Sequence, residues 1–345
     1  MLAPKASTRA PNIDILRIIS MLIVLLFHYN ITHGAYLTGT HGVVIFFMIS
    51  GYCMHFSIGK RTACQFLSAR FWRLIPMLFI CATISTIVEI YFSEVNPDRL
   101  HGFKDYVATL ICMPTGNIAC DIVYAVRRGE PISYGMVDGV YWSLLVEIRF
   151  YLLLLLIVFI FKIKKPYLLI SLLGLFSFTE ISIPLLSKGH DFILYLPFFG
   201  FGMSLKAWID GDRYGVLGII LSLSGFLLSA YLGTKGISMG FNMDNIVSYG
   251  SCFLIFTLIL YIVPYFQSRL ISYLGIITYP IYLLHQDIGL ISIKLLQFIT
   301  STPLSLLITI AIILLLSIIA QSIDDNVIKR FRQYFTTIIL RQKHD

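Results

Sequence analysis

Long apolar segments, separated by short polar ones, run along almost the whole of the 345-residue chain. A helix needs roughly 17 to 25 apolar residues to cross the hydrocarbon layer of a membrane. Segments of this kind are expected near residues 13–30, 42–58, 74–93, 140–161, 166–186, 190–208, 215–233, 244–264, 270–296 and 303–322. The pattern therefore predicts an all-α, polytopic transmembrane helix bundle of about ten spans.

The positive charges give this bundle an orientation. With the N-terminus in the cytoplasm, 18 lysines and arginines lie on the cytoplasmic side and 7 on the other. The positive-inside rule then predicts that both termini are cytoplasmic. Because the basic residues are divided among short connections, the net charge of +8 does not indicate a nucleic-acid partner.

One domain is expected, because no polar block interrupts the apolar segments. It comprises residues 1–325, with an extracytoplasmic loop at about 94–139, and a basic cytoplasmic tail follows at 326–345. The prolines and glycines of the loop predict little regular structure. Cys112 and Cys120 share this loop, and whether they form a disulfide is left open by the sequence.

Ionisable side chains within a span cost at least about 2.5 kcal/mol near its centre, so each is a functional candidate. The candidates of this kind that carry the argument are Asp14, Arg17, His28, Glu147, Arg149 and His285. A rise of about 1.5 Å per residue puts His28, Glu147 and His285 at a similar depth, in the outer third of the hydrocarbon layer. A histidine with a carboxylate partner suits a general base, although hydrogen bonds that only hold helices together would explain the same residues. No HExxH or CxxC spacing favours a metal site.

A second cluster of charges is expected on the cytoplasmic side. Arg70 and Arg73 lie three residues apart, on one helical face, just before the third predicted span. Guanidinium groups bind phosphate oxygens in a bidentate fork, so the pair suits a polyanion. A simple positive-inside anchor is the alternative.

These segments together resemble the membrane-bound acyltransferase family 3. The resemblance rests on five stretches in the expected order. They are Asp14, Arg17 and His28 in the first span, HGVVIFFMISGY at 41–52, RFWRLIP at 70–76, WSLLVEIRFY at 142–151 and YLLH at 282–285. Three positions depart from the family pattern: Val44 replaces a polar or acidic residue, and Tyr279 with Pro280 replaces a small-polar pair, which is expected to kink the ninth span.

The resemblance implies transfer of an acyl group from acyl-CoA, by family default acetyl-CoA, with no bound cofactor. The acceptor would be a hydroxyl of a cell-surface or lipid-linked polysaccharide, such as O-antigen or exopolysaccharide, at the outer face of a bacterial inner membrane. It also implies that His28 is the catalytic histidine and Glu147 its partner. The residues implied in donor binding or in organising the site are Asp14, Arg17, Arg70, Arg73, Arg149, Tyr151 and His285.

Two other functions stay open on the sequence alone. In a transporter or flippase, the same charges would line a substrate path, although the inverted repeats typical of transporters are not evident. Alternatively, the acceptor is a lipid or a peptide amine rather than a sugar. The acyl chain, the acceptor position and the oligomeric state are not fixed by these patterns.

Overall fold

A computed structural model describes residues 11–31, 38–95, 103–117, 136–177, 192–234, 243–262 and 268–332 of the chain. All regular structure in these ranges is helical, which confirms the all-α prediction. In chain order the α-helices are α1 (Pro11–His28), α2 (Gly39–Ile58), α3 (Ala63–Tyr91), α4 (Phe103–Cys112), α5 (Tyr141–Leu155), α6 (Pro166–Gly174), α7 (Leu196–Ile209), α8 (Gly215–Thr234), α9 (Ile246–Ile262), α10 (Arg269–Leu284), α11 (Asp287–Gln297) and α12 (Thr302–Ile323).

Seven helical segments among the described residues are long and apolar enough to cross a membrane, or up to 8 if the bent pair α10 and α11 forms one span. The polytopic prediction is therefore confirmed, while the count of ten spans and the cytoplasmic termini stay predictions. Most of the second half of the expected span at 166–186 lies outside the described residues. The helix that begins with α12 continues to Arg332, so the predicted tail at 326–345 begins inside a helix.

The start of α3 differs from the prediction. Thr62 and Gln65 form a capping box, in which the Thr62 side chain accepts from the Gln65 N–H and the Gln65 side chain accepts from the Thr62 N–H. This reciprocal pairing satisfies backbone donors at a helix start, so the helix begins at Ala63 rather than near residue 74. Arg70 and Arg73 consequently lie inside α3 and not in the connection before it.

The connection at 94–139 also contains more regular structure than expected. Residues 103–112 form α4, whose Tyr106 hydroxyl lies 2.9 Å from the Thr83 hydroxyl of α3. Cys112, the last residue of α4, is disulfide-bonded. Cys120, the other cysteine of this connection, lies outside the described residues.

Two compact units divide the chain. The first comprises residues 1–59, 165–180 and 193–278, and the second comprises 60–164, 181–192 and 279–345. In the first unit, glycines allow α2 and α7 to approach closely. A Cβ on Gly51 would collide with the Phe199 carbonyl, and a Cβ on Gly202 would collide with the Met48 carbonyl. Small residues at such crossings are typical of helices that pack in membranes.

The second unit contains α3, α4, α5, α11 and α12. At residues 285–286 the chain bends by 74° between α10 and α11, so the segment predicted as the ninth span at 270–296 forms either a broken span or a re-entrant loop. The bend follows Pro280 by more than one helical turn, because Pro280 itself lies inside α10. His285 and Gln286 therefore lie at the break between two helices.

Candidate active site

At the start of α1, Asp14 and Arg17 form an ion pair. The Arg17 guanidinium donates to Asp14 Oδ1 over 2.8 Å, and the Asp14 side chain is only 1% exposed. The α10 backbone packs directly on this carboxylate, since a Cβ on Gly275 would come within 2.6 Å of Asp14 Cβ. Arg17 is thus held by its own helix, one turn from its partner, rather than projecting as an unengaged cation.

His28 is the last residue of α1 and is half-buried. Its Nε2 atom lies 3.6 Å from the position that a Cβ on Gly39 would occupy, at the first residue of α2. The Phe27 ring lies 3.0 Å from the same position. Because residue 39 is glycine, the imidazole reaches the start of α2, where the first-turn N–H groups have no partners within the helix.

A second histidine of the first unit, His41, lies just before the span predicted at 42–58 and was not among the candidate site residues. His41 lies in α2 and is 1% exposed. Its Nδ1 accepts the Thr38 N–H over 2.9 Å, and its ring stacks on Tyr249 at 4.0 Å. Nδ1 also lies 3.1 Å from the Thr38 carbonyl oxygen, so the His41 ring contacts the backbone of the residue that precedes α2 on both its N–H and its carbonyl side. The three-residue spacing from Thr38 was the available signal, since it is the spacing of a capping box.

In the second unit, Glu147 of α5 accepts a hydrogen bond from the Tyr151 hydroxyl, one turn further along the same helix. Tyr151 is 3% exposed, and the Arg70 guanidinium of α3 lies 5.6 Å from its ring centroid. Arg73, which is exposed, lies within electrostatic range of the Tyr151 hydroxyl. The structure thus brings four sequence-predicted residues together: Arg70, Arg73, Glu147 and Tyr151.

This grouping brings together residues that the sequence assigned to two separate clusters, whose depths in the membrane stay predictions. The sequence reasoning placed Glu147 near the outer face and the arginine pair at the inner face. In the structure, Glu147 and Arg70 contact the same tyrosine. The physical reason is the early start of α3, which carries Arg70 about 10 Å along the helix from Ala63.

Arg149 forms its hydrogen bond away from Glu147, and its predicted role in the site stays a prediction. It is 3% exposed, and its Nε donates to the Gly116 carbonyl over 3.0 Å. Gly116 has a φ of +64°, a conformation that favours glycine, in the turn that follows Cys112. Arg149 lies two residues from Glu147, so it points to another side of α5 and fastens this turn to the helix.

His285 is fully buried at the break between α10 and α11. Its Nδ1 lies 2.8 Å from the Tyr282 carbonyl, which can only accept, so Nδ1 carries the proton and Nε2 the lone pair. The Tyr282 hydroxyl lies 2.7 Å from Ser143 Oγ and donates to the Val140 carbonyl over 3.0 Å. The break is therefore hydrogen-bonded to the beginning of α5.

The predicted site residues are divided between the two units. Asp14, Arg17 and His28 belong to the first unit, and the others belong to the second. The common depth of His28, Glu147 and His285, and the pairing of His28 with Glu147, stay predictions. Within the described part of the chain, no three His, Cys, Asp or Glu side chains are arranged to hold a metal ion.

Comparison with known proteins points to one family. The family model described as an acyltransferase domain matches residues 11–321. The chain is 29% identical over 198 residues to the peptidoglycan O-acetyltransferase OatA of Listeria monocytogenes, which covers 54% of this chain and 29% of that protein. It is 30% identical over 161 residues to nodulation protein 10 of Rhizobium leguminosarum bv. viciae, which covers 41% of this chain and 42% of that protein. Each match spans less than half of the relative's length, and no solved structure matches.

Proposed function

Because the chain belongs to the membrane-bound acyltransferase family 3, we propose that it transfers an acyl group to a hydroxyl of a polysaccharide. The observation that carries the proposal is the domain match over residues 11–321, which include each predicted site residue. The name of one relative, a peptidoglycan O-acetyltransferase, supports acetyl as the acyl group and a glycan as the acceptor. Family membership also disfavours the transporter or flippase interpretation.

In detail, the proposed donor is acyl-CoA, in the first instance acetyl-CoA, which approaches from the cytoplasm. The proposed acceptor is a cell-surface or lipid-linked polysaccharide, such as O-antigen or exopolysaccharide, at the outer face of the inner membrane. The disulfide at Cys112 supports an outer position for the connection that contains α4, because disulfides persist in oxidising compartments. Peptidoglycan itself is the acceptor suggested by the first relative's name.

In the proposed reaction, His28 acts as general base. It takes the proton of the acceptor hydroxyl while the hydroxyl oxygen attacks the thioester carbonyl carbon. The tetrahedral intermediate collapses with cleavage of the C–S bond, and the proton passes from His28 to the departing thiolate. The products are an ester on the glycan and free CoA thiol. The half-buried position of His28 at the end of α1 supports this role, because the imidazole is partly accessible.

The oxyanion of that intermediate requires positive or N–H groups nearby. Arg17 is bonded to Asp14 and Arg149 to the Gly116 carbonyl, so neither is the first choice for this role. The start of α2 is favoured instead, because His28 lies beside Gly39 and a helix N-terminus stabilises negative charge. Glycine at this position lets the Phe27 and His28 rings approach the start of α2.

On the donor side, the two arginines of α3 are proposed to have separate roles. Arg73 is exposed and suits the phosphates of the donor, which guanidinium groups bind in a bidentate geometry. Arg70 lies over the Tyr151 ring and organises the carboxylate of Glu147 through that tyrosine. Glu147 is then available to orient a histidine or the incoming hydroxyl.

The decisive experiment compares surface glycans from cells with and without the gene by mass spectrometry. We expect a loss of one acyl group per modified residue in the deletion strain, restored by the wild-type gene and not by His28→Ala. His55→Ala is the matched control, because His55 lies at the other end of α2 and is expected to restore acylation. Normal acylation with His28→Ala would end the proposed mechanism, and an unchanged profile in the deletion strain would end the proposed function.

A further inference from the structure

A single buried carboxylate lies at the beginning of two helices in the second unit. Asp138 is fully buried just before α5. Its Oδ1 accepts the Val140 N–H over 3.0 Å, and its Oδ2 accepts the Asp287 N–H over 3.4 Å. Val140 is the residue that precedes α5, and Asp287 is the first residue of α11. The two oxygens of one side chain therefore each serve a different helix.

Helix starts leave N–H groups without partners in the helix, and a carboxylate satisfies them particularly well. At Asp138 one carboxylate binds two helix starts that are far apart in the sequence, so it connects distant parts of the chain. The neighbouring Gly139 allows the approach, since a Cβ there would lie 3.2 Å from the Gln286 side-chain oxygen. The carboxylate thus fastens the beginning of α5 to the break between α10 and α11.

We propose that Asp138 is a positioning residue for acyl transfer, in that it fixes His285 at the break relative to Glu147 and Tyr151 on α5. The inference rests on the proposed function. It explains why a carboxylate is buried where no catalytic step requires one. The Tyr282 hydroxyl, which contacts Ser143 and the Val140 carbonyl, forms a second connection between the same two places. Displacement of reacting groups by about 1 Å costs roughly 100-fold in rate, so a looser junction slows transfer.

The neighbouring carboxylates of Asp138 and Asp287 suggest two matched substitutions that test this role. Burial, together with the adjacent Asp287 carboxylate, raises the pKa of Asp138 well above its ordinary value, while the two N–H donors act in the opposite direction. We therefore expect a neutral amide, which carries no buried charge, to be tolerated at this position. Asp138→Asn keeps one acceptor oxygen and turns an N–H₂ group towards the other donor, so it releases one helix start. Asp287→Asn also removes a buried carboxylate but keeps its backbone N–H and thus the contact.

The test measures acyl transfer in membranes, from labelled acetyl-CoA to the endogenous acceptor, per molecule of enzyme. Wild-type activity that is lost in His28→Ala establishes the proposed function first. We then expect Asp138→Asn to lower kcat by about 10- to 100-fold, with an unchanged KM for the donor. Asp287→Asn is expected to stay within a few-fold of wild type.

Two results would overturn the inference while leaving the proposed function intact. One is a kcat for Asp138→Asn close to that of wild type. The other is an equal loss of kcat in Asp287→Asn, which would show that removal of either buried carboxylate, rather than loss of the hydrogen bond, lowers the rate. If Asp138→Asn does not accumulate, Val140→Pro replaces it. Residue 140 has a φ of −69°, which proline accepts, and the change deletes one donor to Asp138. The same fall in kcat at constant KM is expected, and wild-type kinetics would refute the inference.

Discussion

The hydroxyl of Tyr151 provides the sharpest test of the donor-side cluster. Tyr151→Phe removes one oxygen atom, which donates to Glu147, and leaves the ring in place. The ring keeps its edge contact with Phe66, at 6.3 Å between centroids, and its position 5.6 Å from the Arg70 guanidinium. The fold should therefore be retained, while the Glu147 carboxylate loses a buried donor.

The size of the effect follows from the type of bond that is lost. A hydrogen bond to a charged group contributes about 1.5 to 3 kcal/mol, and each 1.36 kcal/mol corresponds to about tenfold in rate. If the bond orients Glu147 in the transition state, kcat falls by about 10- to 150-fold. Because Tyr151 acts through Glu147, the loss in the double variant Tyr151→Phe with Glu147→Gln should be no larger than in Glu147→Gln alone.

The assay is acyl transfer in membranes, with enzyme quantified by a tag. Tyr91→Phe is the matched control, because Tyr91 lies in the second unit and is 79% exposed. Two outcomes would refute the reasoning. A Tyr151→Phe enzyme within twofold of wild type would show that the hydroxyl is dispensable, and losses that multiply in the double variant would show that the residues act independently.

Two further predictions concern stability, both in the first unit. Gly202→Ala should lower the free energy of unfolding by about 1 to 3 kcal/mol, because the added Cβ collides with the α2 backbone. In the control variant Gly250→Ala the added Cβ meets nothing within 4 Å, so this change should be neutral or mildly stabilising. Thermal unfolding in detergent distinguishes the two variants. Hydrogen bonds from Tyr167 and Lys165 lower the pKa of Asp212 to about 2, below the value near 3.9 of an unfolded chain. The contribution of the ionised Asp212 carboxylate to the free energy of unfolding is then complete above about pH 4 and is lost as the pH falls through 2. Asp212→Asn should therefore lower the free energy of unfolding by up to about 1 kcal/mol at pH 7 and leave it unchanged below pH 2. A loss of stability that is independent of pH would contradict this.

Hydropathy predicted the fold class because membrane helices satisfy their backbone internally and show this in uninterrupted apolar sequence. The same signal misplaced the start of α3, since Thr62 and Gln65 extend a helix through polar residues that hydropathy excludes. It also joined α10 and α11 into one span, because the residues at the break, His285 and Gln286, are flanked by apolar sequence on both sides. Capping chemistry and local bends are invisible to a window average.

The candidate site residues could be identified from the sequence, but most of the contacts between them could not. The motif positions identified Glu147 and Tyr151, and their four-residue spacing was sufficient to predict that they meet on one helical face. That Arg70 joins them depends on how α3 packs on α5, which the sequence pattern does not contain. Arg149 was a candidate for the same reason as Glu147, an ionisable group in a span, and only its bond to the Gly116 carbonyl reveals a structural role.

The contact of Arg70 and Glu147 with one tyrosine changes how the reaction is best viewed. Two charge clusters on opposite faces would require the acyl group to travel through the apolar layer between them. Arg73 and Arg70 are instead one helical turn apart on α3, and Arg70 lies about 10 Å from the first residue of that helix. Because an ionisable group in hydrocarbon is expensive, Arg70 is best explained as part of one polar cluster with Tyr151 and Glu147.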